Sequence, residues 1–158
     1  MVRDLPFPPD DAYAWLTDYR EDDMRRIFGD EGGKRMIEKL GSDRLRVQST
    51  GMIAGVRGHA DGVITLRPPD SWTFDGHIAA MARKMVHVDA LWNVAPLGDG
   101  RTRFTSRFRI TPQNFIAKAY LKLRPRWVRK RIELDYDQIA AAIAKDLGGT
   151  AAVKDGSG

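Results

Sequence analysis

Two histidines and two aspartates recur at short spacing in mid-chain: Asp75 and His77 in SWTFDGHIA, His87 and Asp89 in KMVHVDALWNVAP. Imidazole nitrogens and carboxylates are the donors of a zinc or other divalent site, and the same groups can move protons. Both segments alternate with period two, and a register joining them near Ala82 would set Asp75 opposite His87. All four share a face with Thr73, Arg107 and Arg109. A solvated ladder of alternating charges, with Asp89 paired to Arg107 or Arg109, accounts for them without a metal. Neither a metal nor a cofactor is expected.

A second group is aromatic. Trp72, Phe74, Trp92, Phe104 and Phe108 fall on the apolar face of the alternating segments, and Phe115, Tyr120, Leu121 and Trp127 follow in the terminal segment. As a set they can line a pocket for an apolar, aromatic or isoprenoid molecule; singly, each is ordinary core. Ser49 and Ser106 are the small polar groups on the same faces and the candidates to hydrogen-bond a ligand, although buried hydroxyls usually bond the backbone.

A third group is basic: Lys118, Lys122, Arg124, Arg126, Arg129, Lys130 and Arg131 crowd around Pro125. It can attract an anionic ligand to a cavity mouth or dock on an anionic membrane, or it is a solvated helix face held by pairs such as Arg129 with Glu133. Nucleic acid is not expected as a partner, because no recognisable RNA- or DNA-binding motif accompanies the charge. GDEGGK lacks P-loop spacing and is followed by Arg35, the glycines from Gly51 to Gly62 lack a strand-to-helix context, and no histidine sits in a triad-like local sequence.

The elements that must position these groups come in a definite order. Met1–Phe7 reads as a short first strand, and a helix is expected from about Pro9 to Thr17 with acids in its first turn. Residues 21–43 read as short helical turns between glycines, with Met24, Ile27, Phe28, Met36, Ile37 and Leu40 tucked against the rest. From Arg44 to Thr111 the period is two, punctuated by a glycine-rich turn at 51–62, by Pro68–Pro69 and by LGDG; this is an antiparallel meander with one apolar face. Thr111 to Leu147 reads as one long helix, with Thr111 as N-cap and Pro112 in its first turn. Val128, Ile132, Tyr136, Ile139, Ile143 and Leu147 line one face of it, to lie on the sheet with a ligand cavity between.

Composition narrows the classes. The 158 residues include no cysteine, which excludes disulfides, thiolate catalysis and cysteine-ligated metals. No apolar run approaches a membrane span and no signal peptide is visible, so a cytoplasmic location is expected. The formal charge of +5 favours acidic partners.

FPPDDAYAWLTDY resembles the opening motif of the superfamily that includes START domains, polyketide cyclases and birch-pollen-allergen-like proteins. VAPLGDGRTRFT resembles its glycine–aspartate–glycine hairpin and DYDQIAAAIAKDL its closing helix, so the resemblance covers most of the chain from Pro6 to Leu147. It implies an α+β helix-grip fold, a curved antiparallel sheet wrapped around a long C-terminal helix with a hydrophobic cavity. It implies no catalytic residue, because the members share a container and differ in chemistry. The expectation is therefore a ligand-binding domain at 1–147 and a flexible tail at 148–158. That domain would take a small hydrophobic or amphipathic molecule such as a lipid, quinone or polyketide. Trp72, Phe74, Trp92, Phe104, Ser106, Phe108 and Phe115 would line the site, with Tyr120 and Trp127 near its mouth. The alternatives are a cyclase or dehydratase using the same cavity, and a membrane- or ribonucleoprotein-surface module acting through residues 118–131.

Overall fold

Every stretch that alternates with period two is a strand in the computed structural model, which describes residues 1–29, 33–53, 56–80 and 83–154. The strands are β1 (Val2–Leu5), β2 (Lys34–Lys39), β3 (Arg44–Ile53), β4 (Val56–Arg67), β5 (Ser71–Ala80), β6 (Arg83–Gly98) and β7 (Arg101–Pro112). They form one antiparallel sheet in the order β1-β7-β6-β5-β4-β3-β2, a meander whose last strand is joined at its free edge by the first. Leu5 and Val47 are buried toward opposite edges of the sheet, and Ile64, Trp72, Val94 and Phe104 between them. The alternate residues Arg101, Arg103, Arg107 and Arg109 are exposed, as the period requires. The β6–β7 hairpin closes through Asp99 (φ 52°) and Gly100 (φ 68°), the paired positive φ values that a two-residue hairpin turn demands. Ile53 pairs with Val56, while Ala54 and Gly55, within the expected glycine-rich turn, lie outside the described residues, as do residues 30–32 of GDEGGK.

Residues 34–39 depart from the expected helical turns. They pair with β3 over Lys34–Thr50 to Lys39–Leu45, with Arg35 and Ile37 half-buried and Lys34, Met36 and Glu38 exposed. An edge strand wets one face, so its charged residues hid a period of two. Met36 (63% exposed) and Leu40 (46%) do not tuck in. Helices α1 (Pro9–Thr17) and α2 (Asp23–Phe28) fill the connection between β1 and β2. Pro9 suits the first turn of α1, whose Asp10 and Asp11 meet the positive end of the helix dipole.

The expected single helix from Thr111 is two helices. Thr111 and Pro112 remain in the sheet, opposite His87 and Val86, and Gln113 still donates its N–H to the Met85 carbonyl. Asn114 is the actual N-cap: its backbone is extended and its side-chain oxygen accepts from Ala117 N–H at 2.9 Å. Helix α3 (Phe115–Leu123) then stops at Arg124, whose φ and ψ of −129° and 43° are not helical, as expected of a residue before proline. Pro125 opens α4 (Pro125–Lys154), which runs past Leu147; residues 155–158 of the expected tail lie outside the described residues. Tyr136 and Ile143 of α4 are buried in one cluster with Val47, Ile64, Trp72, Val94 and Phe104. This is the helix-grip arrangement. Trp15 of α1 donates its indole N–H to Asp146 at 2.9 Å, and Arg26 of α2 reaches the same carboxylate at 3.5 Å, so both short helices clasp the far end of α4.

Candidate ligand-binding cavity

Alternation on β5, β6 and β7 and the three-to-four spacing on α4 aim their apolar residues at one another, and the space between is not filled. One lobe, about 250 Å³, lies under α3: Ile78, Val86, Val88 and Ile110 form its sheet side, Ala117, Tyr120 and Leu121 its α3 side, and Val128, Ile132 and Asp135 its α4 side. A second lobe, about 310 Å³, lies under α1 and α2, lined by Trp15, Leu16, Tyr19 and Ile27 against Ile64, Trp72, Phe74, Trp92 and Phe104. Val88, Phe108 and Tyr136 line both and form the partition. Each lobe is near the lower end of the roughly 300–1,000 Å³ typical of small-molecule sites.

The partition is held by a polar contact inside an aromatic stack. Trp92 Nε1 donates to Tyr136 Oη at 2.5 Å, and the Tyr136 ring stacks on Phe104 at 5.6 Å and meets Phe108 edge-on at 5.9 Å. Burial pushes the Tyr136 phenol up to about 12, opposed by its hydrogen bond with Trp92. Trp72 is sandwiched between Trp92 and Phe104, with centroids 5.8 and 6.0 Å away, and Tyr13 closes its edge. Phe74 leans along its strand over Gly76 and Gly62, which face each other on β5 and β4; a Cβ at either would come within 2.5 Å of the phenyl ring. Those two positions require glycine because the ring occupies the space of a side chain.

Three charged residues that the sequence reading did not assign to the site line the lobes. Arg35 and Asp23 pair at 3.0 Å at the edge of the second lobe, with side chains only 15% and 8% exposed. Arg35 also lies over the Tyr19 ring, 5.6 Å from its centroid, and burial lowers its pKa against the attraction of Asp23. Asp135 lines the first lobe, and burial raises its carboxyl above the ordinary aspartate value against the pull of Arg131, 3.4 Å away. Period two from Ile37 would have marked Arg35 as inward, and Asp135 stands three residues after Ile132 and seven after Val128 on the same helical face.

Of the aromatic set, Trp72, Phe74, Trp92, Phe104 and Phe108 line the second lobe and Tyr120 the first. Phe115 is 79% exposed and Trp127 39%, and neither lines a lobe, although Trp127 meets the lobe-lining Tyr120 edge-on. Ser49 lines the second lobe; Ser106 is 1% exposed, opposite Trp92. In the basic segment Lys118, Lys122, Arg124, Arg126, Arg129 and Lys130 are exposed, and Arg131 is half-buried.

The histidine–aspartate group is on the outer face, in a register other than the one expected. The β5–β6 hairpin sets Ala80 opposite Arg83, and an irregularity between Ile78 and Ala79 slips the pairing once more. Asp75 therefore faces Asp89, and His77 faces His87. His87 Nε2 lies 3.2 Å from Asp89 Oδ1 and 3.8 Å from Asp75 Oδ1. Asp89 pairs with this imidazole rather than with the expected Arg107 or Arg109, although Arg109 is its cross-strand neighbour. The slip falls beyond the four residues on the hairpin side and does not turn them toward the cavity.

Three comparisons bear on this geometry. A search among curated proteins finds no match. Among solved structures the fold is similar to a conserved protein from Geobacillus kaustophilus (TM-score 0.66, 17% identity, 91% of this chain and 93% of that one). It is also similar to a protein from Thermus thermophilus (0.67, 14%, 92% and 96%) and to the Zhui aromatase/cyclase from Streptomyces sp. R1128 (0.63, 18%, 92% and 90%). At these identities the likeness is one of fold. The family model described as polyketide cyclase / dehydrase and lipid transport matches residues 1–147, nearly the whole chain, and the chain belongs to that family.

Proposed function

We propose that the chain binds a small hydrophobic or amphipathic molecule, of the lipid, quinone or polyketide kind, across the two lobes on either side of Val88, Phe108 and Tyr136. The observation that carries this reading is the pair of apolar lobes sharing one aromatic partition, with ionisable groups held to their edges. Apolar walls supply affinity, and a few polar groups orient the molecule. Arg35 and Ser49 at one end and Asp135 at the other suit an oxygen-bearing ligand.

A titration with the apolar fluorophore 1-anilinonaphthalene-8-sulfonate tests this. The expected result is saturable binding of one molecule per chain, weakened at least about tenfold in V88F, whose ring fills the junction of the lobes. Non-saturating binding, or equal affinity in V88F, would sink the reading.

Asp135 favours a second reading, a cyclase or dehydratase in the same cavity. A carboxyl whose pKa is raised by burial, one residue from a buried tyrosine hydroxyl, has the character of a general acid–base group. Turnover of a polyketide-like substrate that disappears in D135N while fluorophore binding persists would establish it.

A further inference from the structure

Helix α3 is apolar on two opposite faces. Ala117, Tyr120 and Leu121 turn inward and wall the first lobe. Phe115, Ala119 and Leu123, four residues apart, share the outer face, where Phe115 is 79% and Leu123 80% exposed. A helix of a soluble domain normally keeps that face polar. Past the elbow, Trp127 adds a third exposed apolar side chain, set edge-on to Tyr120 at 6.2 Å.

Cations frame these side chains. Lys118, Lys122, Arg124, Arg126, Arg129 and Lys130 are exposed, and no aspartate or glutamate occurs from Thr111 to Ile132. Among them and the described residues, Arg129 alone has a carboxylate within ion-pair distance, Glu133 at 3.0 Å.

We propose that the outer face of α3 and the first turn of α4 dock on an anionic lipid bilayer, with Phe115, Leu123 and Trp127 entering the headgroup boundary and the surrounding cations meeting lipid phosphates. Stable attachment to a membrane surface needs both an apolar anchor and a basic patch, and this elbow carries both. A polyanion such as RNA would use the cations and could stack on the aromatic rings, but it gives exposed Leu123 no role. Docking does not depend on an occupied cavity. If the cavity reading also holds, the bilayer lies against α3, whose inner face walls the first lobe, which puts the lobe within one helix of the source of an apolar ligand.

Flotation with vesicles of phosphatidylcholine, with and without phosphatidylserine, tests the proposal. The wild-type chain is expected to float with the anionic vesicles and not the neutral ones. K118E/K122E should weaken binding at least about tenfold, as should raising the salt. F115S/L123S should weaken it at least about tenfold at fixed salt, with an unchanged circular dichroism spectrum because both residues are exposed. V88F should bind vesicles like the wild type, so failure of the cavity reading and failure of docking are seen separately. Equal binding to neutral vesicles, no binding, loss in V88F, or an unaffected F115S/L123S variant would each overturn the proposal; the last, with displacement by single-stranded RNA, would assign the patch to polyanions instead.

Discussion

Trp92 on the sheet and Tyr136 on the terminal helix are joined by an indole-to-phenol hydrogen bond of 2.5 Å, the polar tie between the two walls of the cavity. Phe104 and Phe108 pack on the same tyrosine, so helix, sheet and partition are fixed together.

Y136F tests that tie. The ring contacts survive, but the half-buried Trp92 N–H loses its acceptor, and urea unfolding should show a loss of about 1–3 kcal/mol. An unchanged midpoint would mean that the tie adds nothing to the stacked rings.

Gly76 is a second structural requirement. A Cβ there would meet Phe74 Cζ at 2.5 Å and the Asp61 carbonyl oxygen at 2.6 Å, and backbone cannot swing aside as a side chain can. G76A should cost about 1–3 kcal/mol in urea unfolding and move Phe74, altering fluorophore affinity in the second lobe. A variant as stable as the parent would contradict the close approach.

The Asp23–Arg35 pair predicts an asymmetry. Asp23 also accepts from Arg20 N–H at 2.9 Å and lies 3.1 Å from Arg26, so R35M leaves it with partners. D23A leaves the Arg35 guanidinium buried without its carboxylate and should cost about 3–5 kcal/mol, clearly more than R35M. Equal losses in denaturant titrations would refute this.

Asp135 predicts a pH dependence. Its folded-state pKa is raised above the ordinary aspartate value of 3.8, so the folded chain binds the proton more tightly than the unfolded one. This contribution to stability is complete below pH 3.8 and is lost as pH rises through the folded value. The stability of the wild type relative to D135N should therefore be greatest in acid and fall toward neutrality, as read from unfolding midpoints across that range. A difference that grows with pH would mean that the ion pair with Arg131 outweighs burial.

The sheet was legible because period two, proline and glycine punctuation and one apolar face agree from Arg44 to Thr111. What misled was local ambiguity. Pro112 and Pro125 both suit the start of a helix, and only strand pairing at Thr111 and Pro112 decides between them. Lys34–Lys39 showed its charged edge more strongly than its period. Alternation put Trp72, Phe74, Trp92, Phe104 and Phe108 on one face of the sheet, whereas Arg35, Asp23 and Asp135 did not stand out, because a charged residue reads as exposed until tertiary packing shows its partner. Phe115 differs for the converse reason: aromatic type suggested burial, and its place on the outer face of α3 leaves it 79% exposed.

On this account the space between sheet and terminal helix is itself the binding site. Methyl NMR of the chain titrated with 1-anilinonaphthalene-8-sulfonate measures this directly. Saturable shifts and intermolecular contacts at Val88, Ile110 and Ile132, with outward-facing Leu91 unaffected, are the predicted result. Contacts confined to Leu91, Ile116 or Leu123 on the exterior would contradict it.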